Sequence, residues 1–194
     1  MSDLPETSTF HLPLPVAMRV GHSSSSRTEA VEEQVTALFG LLRDRLLRYL
    51  CSLGLSAHDG EEVIQEVFLS LFQHLRADKS QQNIRGWIFR VAHNLGLKKR
   101  MAIGSQSALP ESGVWLSQLP HDPAPSPEEQ VLLRQRQQRL LAVIDALPQQ
   151  DRNCLYLRSE GLQYREIAQV LDISLGGVSQ SLARTIRRLH QVVE

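Results

Sequence analysis

The chain has little of what covalent or metal chemistry would use. Its 194 residues hold two cysteines, Cys51 and Cys154, far apart and in no CxxC or metal-ligand spacing. That excludes a disulfide scaffold and reads as two buried thiols in a reducing compartment. The seven histidines, at 11, 22, 58, 74, 93, 121 and 190, are scattered. No nucleophile–His–acid set, paired carboxylates or P-loop is legible, so no catalytic residue, metal, cofactor or small-molecule substrate is assigned. Aromatics are only 5%, which suits helices better than a β-sandwich. No apolar run approaches the ~18 residues of a membrane span, and Met1 to Arg27 has no hydrophobic signal core. The expectation is a cytoplasmic protein with no membrane partner. Lys+Arg and Asp+Glu are both 21, so a uniformly basic nucleic-acid coat is excluded while a local basic face is not.

What is present is unevenly placed. Residues 1–29 balance at −1, 30–103 at +2, 104–130 at −4 and 131–194 at +3. The second segment is polarised within itself. Glu32, Glu33, Asp59, Glu61, Glu62 and Glu66 gather early, whereas Arg76 to Arg100 carries seven cations against Asp78 alone. One helix looks built for a cationic partner and the next for a polyanion; a solvated charged surface is the plainer alternative for each.

Hydrophobic spacing predicts an all-α chain of two small helical domains joined by a flexible acidic linker. Residues 1–29, with Ser23 to Ser26 in a row, read as a disordered arm. A helical domain over 30–103 carries three apolar stripes. The first is Val31, Val35, Leu38, Phe39, Leu42, Leu46 and Leu50; the second is Val63, Ile64, Val67, Phe68, Leu71, Phe72 and Leu75. The third is Trp87, Ile88, Val91, Ala92 and Leu95, with Phe89 off it. Asp59 is read as the cap of the second helix, with Glu62 in capping-box position. Residues 104–126 lose periodicity, hold Pro110, Pro120, Pro123 and Pro125, and read as the linker, though Val114, Trp115 and Leu116 offer a docking point. Ser126-Pro127-Glu128-Glu129 then starts a second helical domain over 127–194.

That domain ends in a helix-turn-helix. Ile167, Ala168 and Leu171 give the first helix an inner face, Asp172 suits a left-handed turn, Ser174 caps the second helix, and Val178 and Leu182 hold it down. Such a second helix enters the DNA major groove. Its exposed face carries Ser179, Gln180 and Arg184 for base edges, then Arg187 and Arg188 for phosphates, with Gly177 allowing close approach of backbone to phosphate.

The run Asp59-Gly60-Glu61-Glu62-Val63-Ile64-Gln65-Glu66-Val67-Phe68 resembles the polymerase-binding helix of bacterial sigma factors. Ile84-Arg85-Gly86-Trp87-Ile88-Phe89-Arg90-Val91-Ala92-His93-Asn94-Leu95 resembles the adjacent helix that melts and reads the minus-ten element. The segment from Leu141 through Leu147-Pro148 and Tyr164-Arg165-Glu166-Ile167-Ala168 is similar to the domain for the minus-thirty-five element, and the two-domain layout to the extracytoplasmic-function group. The resemblance implies RNA polymerase core and promoter DNA as partners and leaves room for an anti-sigma factor. It sets Asp59, Glu62, Gln65 and Glu66 against the clamp of the largest polymerase subunit. It sets Lys79, Arg85, Arg90, Asn94, Lys98, Lys99 and Arg100 along the minus-ten strand, with 79–83 as the loop near a flipped base. Ser174, Gly177, Ser179, Gln180, Arg184, Arg187 and Arg188 fall on the minus-thirty-five element. His93 is read as a DNA-facing or surface group. Two departures stand out: no acid follows Asn94, and Ser179 and Ser181 stand where members usually carry Lys and Arg. A helix-turn-helix regulator acting without polymerase is the alternative; the acidic helix at 59–72 argues against it. In the free protein the two domains are open to packing together and hiding their DNA-binding faces.

Overall fold

The computed structural model describes residues 22–104 and 127–193, and every regular element within them is an α-helix. They are α1 (His22–Ser52), α2 (Ala57–Arg76), α3 (Ile84–Ile103), α4 (Pro127–Asp145), α5 (Gln149–Ser159), α6 (Tyr164–Leu171) and α7 (Leu175–Val193). The first 21 residues of the expected arm, and the linker stretch 105–126 with Val114, Trp115 and Leu116, lie outside the described residues.

Two boundaries differ from the sequence reading, each for a local reason. α1 begins at His22 rather than near Ala30, because no proline or glycine interrupts the chain before Gly40. α2 is capped by Ser56, not Asp59. The Ser56 hydroxyl accepts from the Asp59 amide at 3.1 Å and donates to the Asp59 carboxylate, an N-cap one turn ahead of the expected one. Other ends follow expectation. Pro127 opens α4, Asp172 ends α6 at φ 53°, and the Ser174 hydroxyl accepts the Gly177 amide at 3.0 Å to start α7.

α1, α2 and α3 pack around the expected stripes, with Leu42, Leu46, Leu50, Val63, Ile64, Val67, Leu71, Leu75, Ile88 and Ala92 all buried. At Gly96 an added Cβ would stand 2.7 Å from a Leu50 methyl, so glycine lets α3 close on α1. Phe89, off the predicted stripe, is fully buried and sits edge-on to Tyr49, ring centroids 5.7 Å apart. Tyr49 of α1 covers it, and α6 packs on α3 as well. The main apolar cluster therefore runs continuously from the first three helices into Cys154, Tyr156, Leu157, Leu162, Ile167, Val170, Val178 and Leu182. A smaller cluster of Ile144 and Leu147, with Leu140, Leu141, Leu155 and Leu189, seats α4 on α7.

Candidate nucleic-acid interface

The acidic positions of α2 divide into two pairs. Gln65 and Glu66 are exposed and bond to no other described residue. Asp59 and Glu62 face α3, where Lys99 Nζ stands 2.5 Å from a Glu62 oxygen and 3.6 Å from Asp59 Oδ1. The ammonium and Glu62 stabilise each other's charged forms, so the lysine is held above its ordinary range and the carboxyl below. Asp59 is also lowered, first by the Ser56 hydroxyl and then by Lys99. Lys99, expected on the DNA strand, is thus an ion-pair partner of the α2 acids.

Of the other residues expected on the minus-ten strand, all but Arg85 are exposed. Lys79 is exposed between α2 and α3, and Arg90, Asn94, Lys98 and Arg100 are exposed along α3. The α2–α3 corner is shaped by Asp78 and Asn83, both at φ 55°, and the Asn83 amide oxygen accepts the Gly86 N–H at 3.0 Å to cap α3. Trp87 is half-buried, its ring 4.6 Å from that of His74. Arg85 is different. Its guanidinium is half-buried, 3.4 Å from a Glu160 oxygen that also receives Arg45 at 3.3 Å. Its Nε is buried and meets no acceptor among the described residues.

His93 is not on the surface; it is 7% exposed. Its Nδ1 lies 2.8 Å from the Tyr49 hydroxyl, and burial holds its pKa below the usual histidine range. Burial pushes the Tyr49 phenol up, so the hydroxyl keeps its proton and can donate to a neutral imidazole. The folded state therefore binds a proton at His93 less readily than the unfolded chain. Stability from this site is complete above the unfolded value and falls as the pH drops below about 6.5. Melting temperature against pH should show that decline for the native chain and a shallower one for His93→Gln; identical slopes would remove His93 from the account.

In the helix-turn-helix, Ser179, Gln180, Arg187 and Arg188 are exposed on α7, as expected for a groove-facing side. Two positions depart. Ser181 is fully buried, with its hydroxyl accepting from Gln150 at 3.2 Å, so it is not a groove position where lysine or arginine would stand. Arg184 turns back to α5, donating to both oxygens of Asp151 at 3.2 and 2.7 Å. Those bonds lower the Asp151 carboxyl against the opposing effect of its burial. Arg184 is a clamp between α5 and α7 that keeps part of its guanidinium at the surface.

Asp151 and Glu160, each closing on cations from other helices, carried no mark in the local sequence pattern. Cys154 is buried, its thiol pushed up to about 11 by that burial; Cys51 is half-buried. No group of three or more His, Cys, Asp or Glu suited to a metal occurs among the described residues, and no described helix is long and apolar enough to cross a membrane.

Comparison with known proteins adds a family. Residues 38–100 match the family model for Sigma-70 region 2, and residues 137–189 that for Sigma-70, region 4. The chain is 30% identical over 150 residues to the ECF RNA polymerase sigma factor SigE of Mycolicibacterium smegmatis, across 76% of this chain and 56% of that one. It is 25% identical over 180 residues to the ECF RNA polymerase sigma-E factor of Escherichia coli K12, across 86% of this chain and 92% of that one. The chain thus spans about half the length of the first of these relatives. Among solved structures, it superposes with TM-score 0.60 on the sigma factor RpoE, crystallised with the anti-sigma factor NepR from Bartonella quintana. That match is 14% identical and covers 83% of this chain and 97% of that one. CnrH, solved in complex with the cytosolic domain of CnrY, gives TM-score 0.53 at 18% identity, over 88% and 94%.

Proposed function

Because the chain belongs to the extracytoplasmic-function group of RNA polymerase sigma factors, we propose that it binds polymerase core, directs it to specific promoters and helps melt the minus-ten element. One observation carries the reading. Helix α2 shows Gln65 and Glu66 to solvent, while the adjacent α3 shows Arg90, Asn94, Lys98 and Arg100. A small helical unit with an acidic contact face beside a cationic one fits a cationic protein surface and a nucleic acid at once.

Gln65 and Glu66 would meet the clamp of the largest subunit, with Asp59 and Glu62 flanking them. Lys79, Arg90, Asn94, Lys98 and Arg100 would follow the single strand, and Arg85 would join them when released from Glu160. Melting follows from binding preference: a groove that holds an extruded base and its phosphates better than duplex offsets an unstacking cost of a few kcal/mol. No nucleotide hydrolysis enters, and the role is that of an initiation factor rather than an enzyme. The second unit would place α7 in the minus-thirty-five major groove. Ser179 and Gln180 would be at base edges, and Arg187 and Arg188 at phosphates, with Ser174 and Gly177 shaping the helix start. With Arg184 turned to Asp151 and Ser181 buried, few charged groups remain at the reading end, so affinity there is modest; each absent phosphate contact lowers the salt slope by ~0.9. The reading places the protein in the cytoplasm with polymerase, and since the similar RpoE was crystallised with an anti-sigma factor, such a factor is a natural further partner.

The test is run-off transcription with purified core polymerase on genomic promoter fragments. Transcripts that start only when the protein is added support the reading. Tight sequence-specific binding by the free protein with no core-dependent transcript would instead favour a conventional helix-turn-helix regulator.

A further inference from the structure

The two units meet beside the proposed minus-ten face: Arg85 is drawn into the contact, while Lys79, Arg90, Asn94, Lys98 and Arg100 stay exposed. α6 packs on α3, the helix that carries the minus-ten cations. At that seam the Glu160 carboxylate, 9% exposed, takes Arg45 and Arg85 together at 3.3 and 3.4 Å. The next residue, Gly161, is at φ 85°, a region where side chains are strained, and a Cβ there would lie 3.5 Å from Nη1 of Arg85. The α5–α6 turn therefore lies directly over the guanidinium. Tyr49 and Tyr156 have ring centroids 5.6 Å apart, and the Gln149 amide donates to the Ser52 carbonyl at 3.3 Å.

We propose that in the free chain Glu160 occupies the place of a DNA phosphate on Arg85, withdrawing that one arginine from an otherwise exposed minus-ten face and latching the second unit to the first. The proposal rests on the sigma-factor reading. Arginine takes carboxylate and phosphate with the same planar set of donors, so one can replace the other. The present fit is incomplete: Arg85 Nε is buried without an acceptor, and exposing it to phosphate or water satisfies a donor the closed form leaves unmet. Arg45 and Arg85 remain 42% and 39% exposed, so the ionic part of the seam, beside the buried Tyr49–Tyr156 contact, is half-solvated and open to an incoming polyanion. Both acid and glycine come from the turn between α5 and α6, so opening the latch moves the helix-turn-helix away as a unit.

The experiment compares the full chain with Glu160→Gln and, separately, Arg45→Ala; neither residue belongs to the proposed polymerase or DNA contacts. Radius of gyration by small-angle scattering reports closure. Fluorescence anisotropy of a labelled, mixed-sequence DNA single strand at fixed low salt reports access to the basic face, and circular dichroism confirms equal helix content. Both variants should expand and bind the strand about threefold or more tightly, the range expected for losing partly exposed ion pairs. Core-dependent run-off should stay at the native level. Variants as compact as the native chain with unchanged affinity would overturn the latch, as would a native chain that already binds the strand as well as the variants do. Expansion with no strand binding and no core-dependent transcript in any form would uphold the latch while overturning the sigma reading on which its purpose rests. Should Glu160→Gln lose helix content, Arg45→Ala decides alone.

Discussion

Core polymerase supplied with the double variant Gln65→Lys, Glu66→Lys should yield at least about tenfold less run-off transcript than with the native chain, at equal protein concentration. Both side chains are exposed on α2 and bond to no other described residue. Replacing them leaves the fold alone, and substitutions of that kind usually change stability by under ~0.5 kcal/mol. The change replaces an acid and a neutral amide by two cations on the face proposed to meet a cationic clamp. Like charges set against each other at an interface cost several kcal/mol, and ~1.4 kcal/mol is already tenfold in affinity. The same reversal at Asp59 or Glu62 would be harder to interpret, because each also holds Lys99. Native-level transcript from the Gln65/Glu66 variant, with an unchanged melting curve, would remove this face from polymerase binding.

Phe89→Ala is expected to be the most damaging single truncation in α3, at about 3–5 kcal/mol. For a chain of this size that corresponds to a fall in melting temperature of roughly 10 °C. The ring is fully buried and packs edge-on against Tyr49, which in turn touches Tyr156 of the second unit. The cavity would open where the two units join. Scanning calorimetry measures it, and Phe89→Leu should cost much less because most of the volume is kept. A loss under ~1 kcal/mol for the alanine variant would mean that the site collapses freely and the ring is not a keystone.

Local features were legible and long-range ones were not. The stripes of α1 and α2, the proline at the start of α4, the left-handed Asp172 and the Ser174 cap all depend on residues a few positions apart, so periodicity and capping chemistry reveal them. The cap of α2 was misplaced by three residues because Ser56-x-x-Asp59 and Asp59-x-x-Glu62 overlap, and only the backbone shows which one closes. Phe89 and His93 sit on a face that a lone amphipathic helix would give to solvent. They are buried because α3 has neighbours on two sides. The cations were visible as charges but not as partners. Arg184 finds Asp151 across 33 residues, Lys99 finds Glu62 across 37, and Arg85 finds Glu160 across 75. No sequence spacing marks such pairings. Thus Arg90, Asn94, Lys98, Gln180, Arg187 and Arg188, expected on DNA, are exposed, whereas Arg85, Lys99 and Arg184 are engaged within the chain.

The seam between the units joins parts of one chain, and this sets the terms on which anything can compete with it. Arg45 and Glu160 are 115 residues apart in sequence yet covalently tethered. Their encounter is first-order, so each unit meets the other at an effective concentration that does not depend on dilution. Dilution therefore does not separate them, and a competitor present at micromolar levels must compensate by affinity or by multiple simultaneous contacts. On the proposed latch, the chemistry at the seam, which single side chains can tune, sets how readily a competitor takes its place.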